Sequence, residues 1–223
     1  MRQGTINNYV KFSKNFGGVR KCYEGKPEIA VGGFMCNPEL MPAYPNAMAA
    51  GTLVFYDEKK DGRTIVPLYT FKVKSVDAAA NKITVEKFET GTIAKVGMKL
   101  IVVGDDLTQA ADNVATVTAV DSSAADVDVL TVDNVAADST PFVAEGDVLA
   151  EAKSGTDKKV KVIPNGLTYC DNVLDPDAYA IDIDYIWNCM EKPVLERRMP
   201  PLTASLKKAL RDNECYFRFS NRK

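Results

Sequence analysis

Residues 116–132, Thr-Val-Thr-Ala-Val-Asp-Ser-Ser-Ala-Ala-Asp-Val-Asp-Val-Leu-Thr-Val, decide the fold because they repeat an earlier part of the chain. The earlier copy has Phe-Lys-Val-Lys-Ser-Val-Asp at 71–77 and Lys-Ile-Thr-Val at 82–85. A glycine turn and an apolar strand complete each copy, at 96–100 and at 145–149. Apolar alternation between small turn residues is typical of β-strands. The repeat therefore predicts a mainly β protein built from repeated hairpin units.

The alternation inside each copy indicates how the strands are arranged. Val73 and Val117 lie on one side of their strands, whereas Val76 and Val120 lie on the other side near the strand ends. Strands that present apolar groups to both faces are typical of a closed barrel or of two packed sheets. We expect a small β-barrel or sandwich and prefer the barrel.

The positions of glycine, proline and polar residues divide the chain into three predicted parts. Residues 1–50 are rich in Gly and Pro without clear alternation, which predicts an irregular, partly extended N-terminal arm. Residues 51–152 form the predicted barrel or sandwich domain, and Asp61-Gly62 marks a hairpin at its start. The polar segment 153–159 is the predicted linker to a C-terminal β module over 160–223.

The C-terminal module has three recognisable elements. Residues 180–187 alternate as a half-buried strand, which predicts that the sole tryptophan, Trp187, lies in the core. Thr203 or Ser205 is expected to cap a short helix, and a last strand follows at 215–219. This last strand either completes the chain's own sheet or joins that of a neighbour.

Composition argues against several functions. The chain has no histidine, so the usual general base near neutral pH and the commonest zinc ligand are both missing. Its five cysteines are widely spaced without a Cys-x-x-Cys motif, and we expect them to be reduced and mostly buried. A net charge of −2 gives no general attraction for nucleic acid. We see no secretory signal and no apolar run long enough for a membrane span, and we expect no enzymatic activity, metal or cofactor.

Aspartates between residues 171 and 184 are candidate ligands of a hard cation, since such cations prefer carboxylate oxygens. Their spacing lacks the glycine and the distal glutamate of a calcium loop, so we interpret them as turn and strand-surface groups. Paired acids for glycan hydrolysis would also have to come from such clusters, at a separation that a sequence does not give.

Charge separates along the chain. Residues 101–151 contain no Lys or Arg and many carboxylates, whereas residues 1–26 and 192–223 are mostly basic. Either these charges are only solvated surface, or the basic ends of a polar molecule meet something acidic while its middle stays in solvent.

Two stretches carry a resemblance to known proteins. The phrase Thr-Val-x-x-Val-Asp, a small-residue loop, Val-Leu-Thr-Val and then Glu-Gly-Asp-Val-Leu resembles modules common in phage virion proteins. Residues 185–202, the Leu-Lys-Lys-Ala-Leu helix at 206–210 and the aromatic strand at 216–219 resemble the tail of phage head-fibre or capsid-decoration proteins.

The resemblance implies a non-enzymatic virion protein from a phage or a resident prophage. Such a protein assembles in the host cytoplasm and binds the outside of the major capsid protein shell as a homo-oligomer, most plausibly a homotrimer. The alternative is a carbohydrate- or receptor-binding β module, for which a surface glycan is the partner. Neither reading involves nucleic acid or a membrane.

Charge layout and aromatic residues suggest where shell or subunit contacts lie. One group is in the N-terminal arm and the other in the tail. The candidates are Tyr9, Phe12, Phe16, Leu195, Arg197, Arg198, Met199, Phe217 and Phe219. Deleting residues 1–26 is expected to abolish capsid binding.

Overall fold

The computed structural model describes residues 21–59, 63–137, 140–174 and 181–221. Its strands are β1 (Glu28–Cys36), β2 (Ala47–Met48), β3 (Leu53–Asp57), β4 (Thr64–Leu68), β5 (Thr70–Asp77), β6 (Lys82–Glu86), β7 (Lys99–Val102), β8 (Ala115–Asp121), β9 (Val127–Val132), β10 (Ala136–Ala137), β11 (Thr140–Pro141), β12 (Val148–Glu151), β13 (Gly166–Thr168), β14 (Asn172–Val173), β15 (Ile181–Leu195) and β16 (Tyr216–Ser220). The described helices are α1 (Ala204–Asp212) and the 3₁₀ segments Pro38–Leu40 and Glu196–Arg198. The prediction of a mainly β protein with a short C-terminal helix before a last strand is confirmed.

The two copies of the repeat together form a closed barrel of six strands, in the order β12-β5-β6-β9-β8-β7. The first copy supplies β5, β6 and β7, and the second supplies β8, β9 and β12. Exchanging the copies preserves the pairing, because β5–β6 becomes β8–β9 and β7–β8 becomes β12–β5. The self-paired contacts β6–β9 and β7–β12 lie across the barrel from each other. The predicted barrel of repeated hairpin units is confirmed, with an internal twofold arrangement.

The copies also share their irregularities. Register shifts interrupt β5 directly after Val73 and β8 directly after Val117, and such bulges increase the local twist of a strand. Gly97 and Gly146 have φ of 86° and 89°, where an L side chain is strained. Each glycine N–H donates to the bulged strand of the other copy, Gly97 to the Val117 carbonyl at 2.8 Å and Gly146 to the Val73 carbonyl at 2.9 Å. These reciprocal bonds hold the two units together.

The barrel interior is filled by equivalent side chains from both copies. Burying such an aliphatic side chain stabilises a fold by roughly 1.5–3 kcal/mol, and small barrels are packed in this way. The residues are Val73, Ile83, Val85, Leu100, Val117, Leu130, Val132 and Leu149, all 3% exposed or less.

The other long strands form a second sheet in the order β1-β4-β3-β13-β15-β16. An additional β1–β15 pairing turns this sheet back on itself. The predicted hairpin is confirmed as β3–β4, with Leu53 opposite Leu68. Its partner is β13, however, and not a barrel strand. Sheet pairing therefore groups residues 53–68 with the C-terminal strands, and the barrel begins at Thr70 and not at residue 51.

The described part of the predicted N-terminal arm contains a nine-residue strand, β1. β1 pairs antiparallel with β15, and its register shifts between Ala30 and Phe34, so its alternation is broken. Phe34 is 1% exposed, and its ring meets that of Tyr185 edge-on at 4.8 Å between centroids. Residues 21–50 are therefore partly extended as predicted, but β1 belongs to the core sheet.

The predicted linker is a closed loop attached to β12. The Lys153 N–H donates to the Lys159 carbonyl at 2.9 Å. Directly after the loop, Lys161 donates its N–H to the Glu151 carbonyl and its ammonium to the Glu151 carboxylate at 2.8 Å. Residues 153–159 therefore do not separate two independent modules, and their polarity reflects exposure on the surface.

Helix α1 packs into the buried cluster that joins the second sheet to the barrel. The Thr203 hydroxyl accepts a hydrogen bond from the Leu206 N–H at 3.3 Å, so Thr203 is the cap. Leu206 and Leu210 are fully buried. Their cluster contains Ile101 of the barrel strand β7 and several residues of the second sheet, such as Leu53 and Ile186. β16 follows and pairs parallel with β15, completing the chain's own sheet.

The cysteines are placed as predicted. None of the five forms a disulfide, and all except Cys170 are buried. Burial raises the pKa of Cys36 to about 12, and that of Cys215 to about 11. These thiols therefore stay protonated near neutral pH.

Candidate interaction surface

Strand β15 presents an unexpected surface because its alternation changes phase midway. Ile183 and Tyr185 are buried as predicted, but Ile186 is buried as well. Trp187 consequently points to solvent and is 37% exposed, so the prediction that it lies in the core is wrong. Ile186 is enclosed because β1 and β13 both pair with β15 at this position. A sequence-based prediction that continues the alternation of buried and exposed residues along a strand does not reveal such a change of phase.

A second irregularity in β15 creates a bulge next to β16. Residues 190–193 lie between the partners of Phe217 and Phe219, so four residues stand opposite the single residue Arg218. Pro193 has no N–H to donate to a strand ladder, and proline within sheets is confined to edges and bulges. The bulge therefore projects from the sheet beside the end of β16.

The bulge forms one wall of a groove of about 650 Å³. It is lined by Tyr23, Glu24, Glu191, Lys192, Pro193, Arg198, Arg218 and Ser220. Three of these side chains are cationic and two are anionic. Burial raises the pKa of the Tyr23 hydroxyl far above its ordinary value, so Tyr23 is neutral, and its ring stacks on Tyr169 at 5.4 Å. We call this concave, net positive surface the basic groove.

Exposed apolar side chains lie beside the basic groove. Trp187, Met190 and Tyr216 are 37%, 54% and 48% exposed, and they make up half of the large exposed hydrophobic residues in the described chain. Asn188 is the pairing partner of Tyr216, so all three residues occupy neighbouring positions on β15 and β16. Tyr216 shares the face of Asn188, whereas Trp187, one residue earlier, lies on the opposite face of the sheet. Trp, Tyr, Met and Arg are the residue types enriched at the centres of protein interfaces. We call Trp187, Met190, Tyr216 and Arg218 the tail patch.

The predicted contact residues of the tail divide into two groups. Arg197 and Arg198 are exposed in the segment that joins β15 to α1. Phe217 and Phe219 are half-buried on β16, with ring centroids 5.7 Å apart. Lys207 Nζ lies 5.4 Å from the Phe219 ring centroid, a cation–π contact. Of these four residues only Arg198 lines the basic groove, whereas Arg197 lines a separate cleft and Phe217 and Phe219 flank Arg218 on β16.

Two predicted contacts belong to the interior instead. Leu195 and Met199 are 0% and 3% exposed and pack in the chain's own core, which leaves them little surface for a partner. Apolar residues near a chain end look alike in sequence whether they are buried or exposed. The arm candidates Tyr9, Phe12 and Phe16 lie outside the described residues.

Sequence reasoning did not select Trp187, Met190, Tyr216 or Arg218 as contacts. One feature of the sequence could have indicated this region. Pro193 lies within a stretch that otherwise continues as a strand, and proline inside a strand indicates an edge or a bulge. It marked the place where the strand departs from regular pairing, but not the side chains that this departure exposes.

Charge is distributed unevenly between the barrel and the rest of the chain. Residues 70–151 contain 14 acidic and 6 basic residues, whereas the remainder contains 16 acidic and 22 basic residues. All six barrel lysines belong to the first copy of the repeat. The second copy exposes Asp121, Asp126, Asp133 and Glu145. The barrel is therefore acidic, and its second copy carries most of that charge.

One barrel lysine holds an acidic loop in place. The Lys87 ammonium lies 3.2 Å from Asp128 Oδ1 and donates to the carbonyls of Ser122 at 2.7 Å and Ala124 at 2.5 Å. The side chains of Lys87 and Asp128 are only 12% and 4% exposed. Residues 121–126, which we call the acidic loop, are exposed throughout.

The described residues contain no group of three or more Cys, Asp or Glu placed to hold a metal ion. Within the aspartates weighed as cation ligands, Asp171 accepts a hydrogen bond from the Ala50 N–H at 2.7 Å. Asp175 and Asp177 lie outside the described residues. No helix in the described part of the chain is both long and apolar enough to cross a bilayer.

Comparisons with protein-family models, with curated proteins and with solved structures find no match to this chain. The structural features of the chain that bear on its function are the tail patch, the basic groove and the acidic barrel.

Proposed function

We propose that the chain is a structural protein of a phage virion, a head-fibre or capsid-decoration component that binds the capsid exterior as a homo-oligomer. The tail patch is the observation that carries this proposal. It places Trp, Met, Tyr and Arg side chains in solvent on adjacent strands of a sheet, where the backbone holds them in fixed positions. Rigid aromatic and arginine side chains supply most of the binding energy at protein interfaces.

The charge distribution supports the same role. A virion accessory protein works through complementary patches, and opposite charges steer partners and fix their register. Here a basic tail and an acidic barrel occur in one chain. The shell of the major capsid protein and other copies of the chain are the proposed partners, assembling in the host cytoplasm as a homotrimer.

Immunogold electron microscopy of phage particles produced by the encoding strain tests the role directly. We expect label on the particle heads and the chain among the proteins of purified particles by mass spectrometry. Purified particles that lack the chain would overturn the proposal.

A binding assay tests the tail patch itself. The double variant Trp187→Ser, Met190→Ser is expected to lose co-sedimentation with particles, because it removes two exposed apolar side chains without touching the core. Val96→Ser is the matched control, since Val96 is 67% exposed on a barrel turn. Equal binding by the double variant and the control would show that the tail patch is not the contact.

A deletion shorter than residues 1–26 tests whether the N-terminal arm contacts the capsid. Cys22 and Tyr23 are 0% and 6% exposed, so removing residues 1–26 would damage the core as well as the arm. Removing only residues 1–20 eliminates Tyr9, Phe12 and Phe16 and leaves the described residues complete. We expect this variant to melt like the full chain and to lose particle binding. Retained binding would exclude the arm as a contact.

A cleft favours glycan binding as a second candidate function. About 500 Å³ of space lies between the barrel and residues 196–202, with Phe88 and Ile93 beside Glu89 and Arg197. Apolar walls with a few convergent polar groups are typical of small-molecule sites. A glycan array probed with the chain and with Phe88→Ala tests this function. A signal that Phe88→Ala abolishes supports it, and no signal refutes it.

A further inference from the structure

The acidic loop differs from its counterpart in the other copy of the repeat. Asp77 pairs with Lys82 across a four-residue turn, whereas Asp121 pairs with Val129 across seven residues. The barrel therefore closes with the shorter turn, and the longer loop is not needed for closure. The extra residues are nevertheless ordered, because Lys87 holds two of the loop's carbonyls.

The acidic loop has the form of an insert. Between Asp121 and Asp126 it contains only Ser122, Ser123 and two alanines, so its tip is narrow and has no long side chain. Asp121 additionally accepts the Ser123 N–H at 3.0 Å, which fixes the turn. A preorganised loop loses little conformational entropy on binding. Its two carboxylates flank the tip.

The basic groove has the complementary form. It is concave, has a volume of about 650 Å³, and places the exposed side chains of Lys192 and Arg218 on its walls. Arg218 of the tail patch lines the groove, and Met190 directly precedes the lining residue Glu191. The loop contributes no lining residue to the groove within one chain. In the folded chain the loop and the groove are therefore separate surfaces, and a contact between them joins two copies.

We propose that the acidic loop of one copy docks in the basic groove of a second copy, so that copies associate head to tail. This inference rests on the homo-oligomer of the proposed function and names its contact. A head-to-tail contact uses two different surfaces, so it generates a closed ring when the rotation closes. Each copy then offers one loop and one groove, so every contact in a closed ring is satisfied, as in the homotrimer of the proposed function.

Light scattering with a charge swap tests the docking. We expect the wild-type mass to be a multiple of 24.4 kDa that falls as salt is raised, since salt screens exposed charges. Asp126→Lys and Arg218→Glu should each weaken association about 10-fold or more, because each places like charges together. The two changes combined should restore it. Asp105→Lys and Arg211→Glu, exposed and outside both surfaces, are the matched controls.

The light-scattering results distinguish the docking contact from the homo-oligomer and from the virion role. Restoration by the combined variant, with unaffected controls, establishes the contact. An oligomer whose mass ignores all four changes refutes the docking but leaves the homo-oligomer intact. A wild-type monomer that still appears on particle heads refutes the docking and the homo-oligomer while the virion role stands.

Discussion

Replacing Lys87 by methionine should destabilise the barrel far more than removing any exposed lysine. The substitution keeps the side chain's length but removes a cation that contacts the Asp128 carboxylate and the carbonyls of Ser122 and Ala124. Asp128, 3% exposed, would retain the hydroxyl of Thr92, 2.9 Å away, and lose its positive partner. A buried carboxylate without a counter-charge is unfavourable because water no longer solvates it.

The magnitude follows from the burial of this pair. Breaking a buried ion pair by removing one partner costs about 3–5 kcal/mol, and the remaining exposure of Lys87 places this variant near the lower value. For a chain of this size, about 3 kcal/mol corresponds to a loss of about 6–12 °C in Tm. Urea unfolding followed by circular dichroism, with a thermal scan, measures both quantities.

Lys72→Met is the matched control for this prediction. Lys72 lies 3.1 Å from Glu86 on the neighbouring strand, but the two side chains are 48% and 51% exposed. Exposed pairs contribute about 0–1 kcal/mol, so this variant should unfold almost like the wild type. Adding Asp128→Asn to Lys87→Met should recover part of the loss, because it removes the stranded charge. Equal destabilisation by Lys87→Met and Lys72→Met would show that the buried Lys87–Asp128 pair contributes no more stability than an exposed pair.

Two further predictions concern α1 and the buried thiols. Thr203→Ala removes the helix cap and should cost about 1 kcal/mol in urea unfolding, and an unchanged midpoint would contradict the role of the cap. Burial raises the pKa of Cys36 from its ordinary 9.0 to about 12, so the folded state keeps the thiol proton that the unfolded state releases first. Stability should therefore fall as the pH rises from 9.0 towards 12. Mass spectrometry after iodoacetamide at about pH 8 should find Cys36 modified only in urea, and modification of the native protein would contradict its burial.

The repeated hairpin units of the barrel were predictable because their signals are local, although these signals left a sandwich open as the alternative to a barrel. Alternation in 71–77 and 116–121, positive-φ glycines at Gly97 and Gly146, and the repetition of the whole unit all act over a few residues. The helix was predictable for the same reason, since a Thr cap and two leucines one turn apart lie within eight residues. The excess of acidic residues in the barrel and of basic residues elsewhere can likewise be read directly from the sequence.

The pairing of distant strands was not predictable in this way. Nothing within residues 53–68 indicates that their hairpin pairs with β13 and not with the barrel 2 residues later, because any strand edge offers the same N–H and C=O groups. β1 was hidden by a register shift, and Trp187 was misplaced because two consecutive residues of β15 are buried. The prediction that Leu195 and Met199 make surface contacts is wrong because burial depends on what packs over a residue, which the local sequence does not show.

Short-range periodicity and composition therefore predicted the repeated β unit, the capped helix and the separation of charge along the chain, and they allowed either a barrel or a sandwich. Closure of the barrel, the grouping of strands into sheets, the bulge in β15 and the side chains of the tail patch and the basic groove depend on the tertiary structure. The physical reason is that a bulge or a pairing register is set by contacts between residues that are remote in sequence, such as Ile29 and Ile186.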